Sequence, residues 1–459
     1  MFIFYDIETT GTDIVHDQIL QFGAILTDEN LVEVDRFEFR CRLLPWVVPS
    51  PGALIVTATP VSYLEGASLP DFYFIMQKVA ERFETWAPAT FIGYNSMRFD
   101  EPFMQRAFWQ ALLPPYLTVT NGNARLDLLP LVRATACFRP DLLTIPLGET
   151  GAPSFRLDGL APANGFNAHR AHDAIGDVEA TIFLARKIAR EFPELWGPMA
   201  ARASKSKLAA LLNSRAPVFL FQHSAAPPIA CYHRIDTGYD RGSHAVLARL
   251  NFDWASAQSR IDACTPSESD ALRKALRRVA LNKSPLLFTV DEAEAIAGFA
   301  PMSAELAQAE FLSENRDFCL RLAEMIPPFA KSAPVNDAQV EETIFDSFAS
   351  AQDERLMAKF QRADPPQQLL LAKAFEDSRF RRLAMRFLYV RARHIMGERD
   401  LEQIRLGILR RLEGDQDVGH RWRSIADAIA ELEANSQQPP TANDLEIMAW
   451  LIDRKRQIT

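Results

Sequence analysis

Apolar residues run without interruption through Phe2-Ile3-Phe4-Tyr5, and the run exits through Asp6-Ile7-Glu8-Thr9-Thr10-Gly11. A short apolar stretch bounded by polar residues and a glycine predicts a buried strand over 2–7. Similar stretches predict strands over 19–27, 34–42 and 90–94, and helical spacing of apolar positions predicts helices near 71–87, 101–112 and 174–191. Three successive strands followed by β/α elements predict an α/β domain built on a mixed sheet, ending near residue 197. Beyond about 198 the texture changes. Pro217-Val218-Phe219-Leu220-Phe221, residues 244–250 and residues 285–289 alternate like strands. Between the last two lies a predicted basic helix containing Arg273, Lys274, Arg277 and Arg278. Residues 331–337 read as a linker, and 338–459 are helical in pattern, with a loop at 436–440. The expected division is 1–197, 198–335 and 336–459: an α/β domain, a small β-rich domain and an all-helical domain.

Asp6 and Glu8 stand two apart on the first strand, so both carboxylates leave the same face. Like charges held this close repel, and one stays protonated unless a cation holds both. A divalent metal is the simplest resolution. A second element is Phe91-Ile92-Gly93-Tyr94-Asn95-Ser96-Met97-Arg98-Phe99-Asp100, a strand with a Gly-Tyr-Asn exit. Asp100 falls at the start of the next helix, where the helix dipole favours an anion. By itself it reads more readily as an N-cap. The third element, His172-Asp173-Ala174-Ile175-Gly176-Asp177, opens another helix. Asp173 is the expected cap residue. That leaves Asp177 projecting from the first turns and His172 on the preceding loop.

Read in order, these give D-x-E, N-x-x-x-F-D and H-x-A-x-x-D, with Asn95, Phe99 and Ala174 also matching. The chain thereby resembles the histidine-containing branch of the DEDD 3′→5′ exonuclease superfamily. Pro153-Ser154-Phe155-Arg156-Leu157, Ala163-Asn164-Gly165 and Ala171-His172-Asp173-Ala174 are similar to the bacterial exodeoxyribonuclease I family. Weaker similarity continues through residues 281–286 and 387–393. The resemblance implies an RNase H-like exonuclease domain, an SH3-like domain and a helical C-terminal domain, together forming a C. It implies two Mg²⁺ ions, with Mn²⁺ as a substitute, held by Asp6, Glu8, Asp100 and Asp177. The residue matching Asp6 bridges both ions, those matching Glu8 and Asp177 hold one, and that matching Asp100 supports the other. His172 fits a general base, because an imidazole with an ordinary pKa near 6.5 accepts protons at neutral pH. Thr9, Tyr94, Asn95, Arg98 and Arg156 are the candidate substrate contacts, and Gly11 is expected to permit close approach of the terminal nucleotide. Ile7 departs from the aromatic residue expected between the two acids, and this leaves the choice between DNA and RNA open.

Hydrophobic residues make up 48% of the chain and charged residues 24%, as in a soluble globular protein. The five cysteines (Cys41, Cys137, Cys231, Cys264, Cys319) show no metal-ligand spacing, which predicts free thiols, no zinc and a cytoplasmic location. The first strand begins at once, so no signal peptide is expected, and no apolar run approaches a membrane span. Residues 1–200 hold 15 Lys and Arg against 24 Asp and Glu, whereas the remainder is neutral. Such a chain does not grip duplex DNA by overall charge. A groove wide enough for one strand, with local cations such as Arg98, Arg139, Arg156, Lys205 and Lys207 and rings such as Tyr94, selects single strands by shape. The expected substrate is single-stranded DNA, hydrolysed 3′→5′ to nucleoside 5′-monophosphates. RNA 3′ ends are the alternative, and a non-catalytic scaffold is disfavoured by the presence of all five catalytic candidates. The resemblance further implies binding of the acidic C-terminal tail of single-stranded DNA-binding protein, and the C shape suggests a monomer.

Overall fold

The computed structural model describes residues 1–66, 68–167, 172–235, 243–259, 266–326, 338–414, 421–435 and 440–456. Its first sheet contains β1 (Phe2–Thr9), β2 (Ile19–Thr27), β3 (Glu33–Arg40), β4 (Thr90–Gly93) and β5 (Ala124–Asp127), in the order β3-β2-β1-β4-β5. β2 runs antiparallel to both β1 and β3, while β4 runs parallel to both β1 and β5, as a mixed sheet requires. β5 was not anticipated, because Ala124-Arg125-Leu126-Asp127 carries two charges in four residues. Its pairing with β4 makes it a strand.

β2 is buried at all nine positions, with the helices Ala174–Glu191 and Phe72–Trp86 packed against it. β1 alternates. Ile3, Tyr5 and Ile7 join the core that contains Phe22, Phe83 and Phe91. Phe4 faces the other way and packs with Ile25, Ile92, Ile175 and Val178. Asp6 and Glu8 follow Phe4 on that second face. The apolar half of the strand thus anchors it, and its carboxyl end carries the two acids to the rim.

Each core continues into a further module. The second-face core runs through Leu195 and Trp196 to Phe219, Trp254 and Phe288. These belong to and pack on a second sheet of β6 (Val218–Phe221), β7 (Ile229–Ile235), β8 (His244–Arg249), β9 (Leu276–Ala280) and β10 (Leu287–Phe288). Its order is β10-β6-β7-β8-β9, antiparallel throughout. The predicted basic helix needs correction. Arg273 and Lys274 lie on the helix Pro266–Ala275, but Arg277 and Arg278 belong to β9. Pairing with β8, with Leu276 and Val279 buried, overrides their helical propensity.

The first-face core runs into the C-terminal helices, where the Phe387 ring lies 4.8 Å from Tyr73 and Phe360 and Phe380 are buried. Each fully buried phenylalanine contributes roughly 1.5–3 kcal/mol. On the helix Ser378–Arg391, Arg379 donates to the Thr343 carbonyl and Arg386 pairs with Glu341 at 2.6 Å, so these cations brace the module. Residues 331–337 of the expected linker and 436–439 of the expected loop lie outside the described residues. Among the described residues, no helix is long and apolar enough to cross a membrane.

Candidate active site

The rim of β1 brings three of the predicted groups into one cluster. Ligand atoms of Glu8, His172 and Asp177 all lie within 4.8 Å of one another, a spacing that could hold a metal ion. Asp6 feels the same charges. Burial, then Asp100, Asp177 and Glu8, push its carboxyl well above the usual range. Glu8 is pushed up to about 8, by burial first and then by Asp177, Asp100 and Asp173, with Arg40 opposing. Burial also raises Asp100 to about 8, with Asp127 and Glu101 adding to it. Four carboxylates so arranged need either protons or cations.

Asp100 is the first residue of the helix Asp100–Gln110, with Phe99 at the N-cap, so the expectation of an aspartate cap is not met. Its Oδ1 is buried without a hydrogen-bond partner. Such an orphaned carboxylate oxygen, facing other acids, is a donor that fits a cation. The turn before it is held from below by Asp127, the N-cap of the helix Leu128–Phe138. Asp127 accepts from the backbone N–H of Asn95 (2.9 Å), Met97 (3.3 Å) and Leu129 (3.1 Å). The connection between β9 and β10 closes the turn from the other side. Lys283 Nζ donates to the Met97 carbonyl at 2.8 Å, and Ser284 Oγ accepts from the Asp127 N–H at 3.2 Å. Beneath lies a buried pair, Arg125 with Glu101 at 2.5 Å, to which Tyr5 and Thr118 donate. Asp127 had no signal in the sequence, and Lys283 and Ser284 stood out only as part of the weakly similar stretch 281–286, since their roles depend on contacts across modules.

Asp177 reaches the cluster because of a glycine. Gly23 pairs with Asp6 across β1 and β2. A Cβ there would sit 2.9 Å from the Ile175 backbone nitrogen and 3.0 Å from the Ala174 carbonyl carbon. Only glycine lets the N-terminus of the helix Ala174–Glu191 rest on the sheet at that point. Gly23→Ala is therefore expected to lift the helix end, lower the melting temperature by a few degrees and cut turnover at least about ten-fold, since small-to-large changes in packed sites displace backbone. A melting scan with steady-state kinetics checks this, and wild-type turnover would remove Gly23 from the argument. Asp173 occupies the N-cap position, but its carboxylate makes no cap bond to the helix. It accepts instead from Gln21 (2.9 Å) and Arg40 (3.0 Å). His172 adopts φ 62°, a left-handed backbone uncommon outside glycine, and its N–H donates to Asp177 Oδ2 at 3.3 Å.

The candidate substrate contacts divide. Arg98 and Asn95 are exposed beside Asp100, Asn95 with φ 61°. Tyr94 is half-buried, its hydroxyl donating to the Phe155 carbonyl at 2.6 Å. Arg156 is exposed and paired with Asp158 at 2.9 Å. Thr9 is buried, and its hydroxyl donates to the Gly11 carbonyl at 2.6 Å. The space above Gly11 is taken by the chain itself, because a Cβ there would meet Asp17 Oδ2 at 2.4 Å. Of the other cations, Arg139 stacks over Phe192 and Lys207 donates to the Ala201 carbonyl. Cys41, Cys137, Cys231 and Cys319 are free thiols among the described residues, and Cys264 lies outside them.

Comparison with known proteins agrees with this fold. Residues 3–185 match the exonuclease family model, and residues 338–457 match that of the exonuclease I C-terminal domain. The chain thus carries an exonuclease domain followed by an exonuclease I C-terminal domain, and it is similar to exodeoxyribonuclease I proteins. Exodeoxyribonuclease I of Haemophilus influenzae is 29% identical over 436 residues, 86% of both chains. That of Escherichia coli is 33% identical over 214 residues, 46% of this chain, and the match spans about half of that protein's own length (45%). The structure of E. coli exonuclease I in complex with a dA16 oligonucleotide superposes with a TM-score of 0.80 at 23% identity, covering 100% of this chain and 99% of that one. The family fold of mixed-sheet exonuclease domain, curled antiparallel sheet and helical C-terminal region is the one described above.

Proposed function

We propose that the chain is a divalent-metal-dependent 3′→5′ exodeoxyribonuclease that shortens single-stranded DNA to nucleoside 5′-monophosphates in DNA repair and recombination. The observation that carries this is the convergence of Glu8, His172 and Asp177 within 4.8 Å, beside the raised carboxyls of Asp6 and Asp100. The residues fit hard cations such as Mg²⁺, which take oxygen ligands and retain water. Asp6, Glu8, Asp100 and Asp177 would hold two such ions, with Mn²⁺ as a substitute. Bound there, they would supply a reactive hydroxide at neutral pH and charge stabilisation for the attacking and leaving oxygens.

The protein's own groups do the rest. His172 accepts the proton of the attacking water at a ring nitrogen. Its backbone bond to Asp177 holds it over the cluster, and its positive φ is the local strain expected where placement matters. Asn95 and Arg98, exposed on the turn before Asp100, would grip the terminal nucleotide, and Tyr94, Thr9 and Arg156 would add contacts to it. His172→Ala is expected to keep metal and DNA binding while single-turnover hydrolysis falls about 10²–10⁴-fold, the usual contribution of a general base. Near-wild-type turnover would assign the proton to another group.

Support for DNA comes from the oligonucleotide-bound neighbour and the curated relatives. A time course with 5′-labelled single-stranded DNA, duplex DNA and single-stranded RNA, each with Mg²⁺ or EDTA, tests the reading. Metal-dependent loss of single-stranded DNA alone is expected; equal loss of RNA would move the protein to RNA trimming. The same reading includes a three-module division at 197 and 335, a monomer, a cytoplasmic location and docking of the acidic tail of single-stranded DNA-binding protein. The second family match, beginning at residue 338, supports the later boundary.

A further inference from the structure

The register of the first sheet lines up three polar side chains that lead to the general base. Gln21 of β2 pairs with Glu8 of β1 on one side and with Arg40 of β3 on the other, so all three leave the same face. Gln21 is 4% exposed, and its Nε2 donates to Glu38 at 2.8 Å and to Asp173 at 2.9 Å, which fixes the amide. Arg40 donates to the same Asp173 oxygen at 3.0 Å. Asp173 directly follows His172 and stands at the N-cap of the helix Ala174–Glu191. An aspartate in that position ordinarily turns its carboxylate onto the first N–H groups of the helix. Here it makes no such bond, because the two donors hold it against the sheet.

The diverted cap restrains the residue before it. A left-handed backbone outside glycine persists only where its surroundings over-determine it. For His172, with φ 62°, one restraint is the N–H bond to Asp177, which is long at 3.3 Å. The anchor on Asp173 acts on the very next residue and is made of two shorter bonds. Charge explains why it includes an arginine. Asp173 adds a further carboxylate beside Glu8 and repels it, and Arg40 opposes that repulsion. We propose that Arg40 and Gln21, acting through Asp173, are positioning residues that set the His172 imidazole for proton transfer. The inference rests on the exonuclease reading and assigns the support of its general base to β2 and β3. Arg36, on the same strand as Arg40, makes a comparable ion pair at 2.9 Å with Glu179, further along the same helix. It ties β3 to the helix away from His172 and so provides a control.

Steady-state and single-turnover hydrolysis of 5′-labelled dT20 by the full chain with Mg²⁺ tests the assignment. Arg40→Gln is expected to lower the single-turnover rate about ten-fold, because a misplacement of about 1 Å can cost up to about 10². The DNA and Mg²⁺ concentrations at half-maximal rate are expected to stay within about two-fold, the split that loss of a purely transition-state contribution gives. Arg40→Lys, which keeps a charged donor, is expected to recover most of the rate, and Arg36→Gln to match wild type. In a His172→Ala background Arg40→Gln is expected to cost nothing more, since residues that act as one unit are not additive. A second readout needs neither metal nor DNA. In EDTA the His172 ring-proton resonances, assigned by their loss in His172→Ala, are expected to move in Arg40→Gln and to stay in Arg36→Gln. A wild-type rate for Arg40→Gln, or an equal loss in the His172→Ala background, would overturn the proposal. So would recovery of the lost rate by added Mg²⁺, which would place the effect of Arg40 on Glu8 instead. If the wild-type chain leaves dT20 intact with Mg²⁺, the exonuclease reading fails, while the resonances in EDTA still decide whether Arg40 orients His172.

Discussion

Asp6→Ala lowers turnover on single-stranded DNA by about 10³–10⁵-fold and leaves the fold standing. The magnitude follows from what the carboxylate holds. Asp6 would help to hold the cations of the proposed site, and each would supply several kcal/mol of transition-state charge stabilisation, at 1.36 kcal/mol per factor of ten. The fold survives because Asp6 contributes no core contact. The strand is anchored by Phe4 on one face and by Ile3, Tyr5 and Ile7 on the other. A charge held among Asp100, Asp177 and Glu8 is removed along with it. Metal binding by calorimetry is expected to vanish in the same variant. The combination with His172→Ala is informative, because groups that act as one unit are not additive. The double variant is expected to be no slower than Asp6→Ala alone. A further hundred-fold loss would mean that His172 works independently of the cluster, and the single-site reading would fall.

How much of this was legible beforehand depends on the range of the interaction involved. Asp6 and Glu8 were readable because strand alternation is local: two residues apart means one face. The order of the three motifs carried the rest of the catalytic set, and the first sheet followed from strand-length apolar runs such as 19–27. What could not be read were placements decided by contacts distant in sequence. Asp127 and Ser284 are 157 positions apart, yet together they fix the turn before Asp100. Gly23 looks like any strand glycine until register sets it opposite Asp6 and beneath Ile175. Local hydrogen bonds were equally out of reach: Thr9 donates to the Gly11 carbonyl, Asp17 fills the space above Gly11, and Asp173 turns away from its helix toward Arg40. Arg277 and Arg278 read as helix because their periodicity is silent about the strand that recruits them.

The metal-free protein is expected to lose stability as pH rises from about 4 to about 8, and divalent cations are expected to restore it. The sign follows from the direction of the shifts. Asp6, Glu8 and Asp100 all have folded-state pKa values above their unfolded ones, Glu8 and Asp100 reaching about 8. Groups raised in this way are favourable to folding while protonated. The penalty is absent below the unfolded pKa, near 4, and is complete once pH has passed the folded value. For Glu8 alone, moving from 4.5 to about 8 corresponds to on the order of 5 kcal/mol. The three carboxyls share one field, so their penalties are not additive. One such term is already comparable with the 5–15 kcal/mol that holds a typical domain together. Cations bound to the ionised cluster act in the opposite sense, adding about 2.7 kcal/mol at a hundred times the dissociation constant. Melting scans in EDTA and in Mg²⁺ should therefore coincide near pH 4.5 and separate by roughly 5–10 °C at pH 8.5, at 2–4 °C per kcal/mol for domains of this size. Asp6→Asn removes one charge without changing shape, so it should raise the melting temperature in EDTA at pH 8.5 and narrow the gap between the two scans. Parallel scans at every pH would mean that the carboxylates tolerate one another without cations, and the physical case for a metal at this site would be lost.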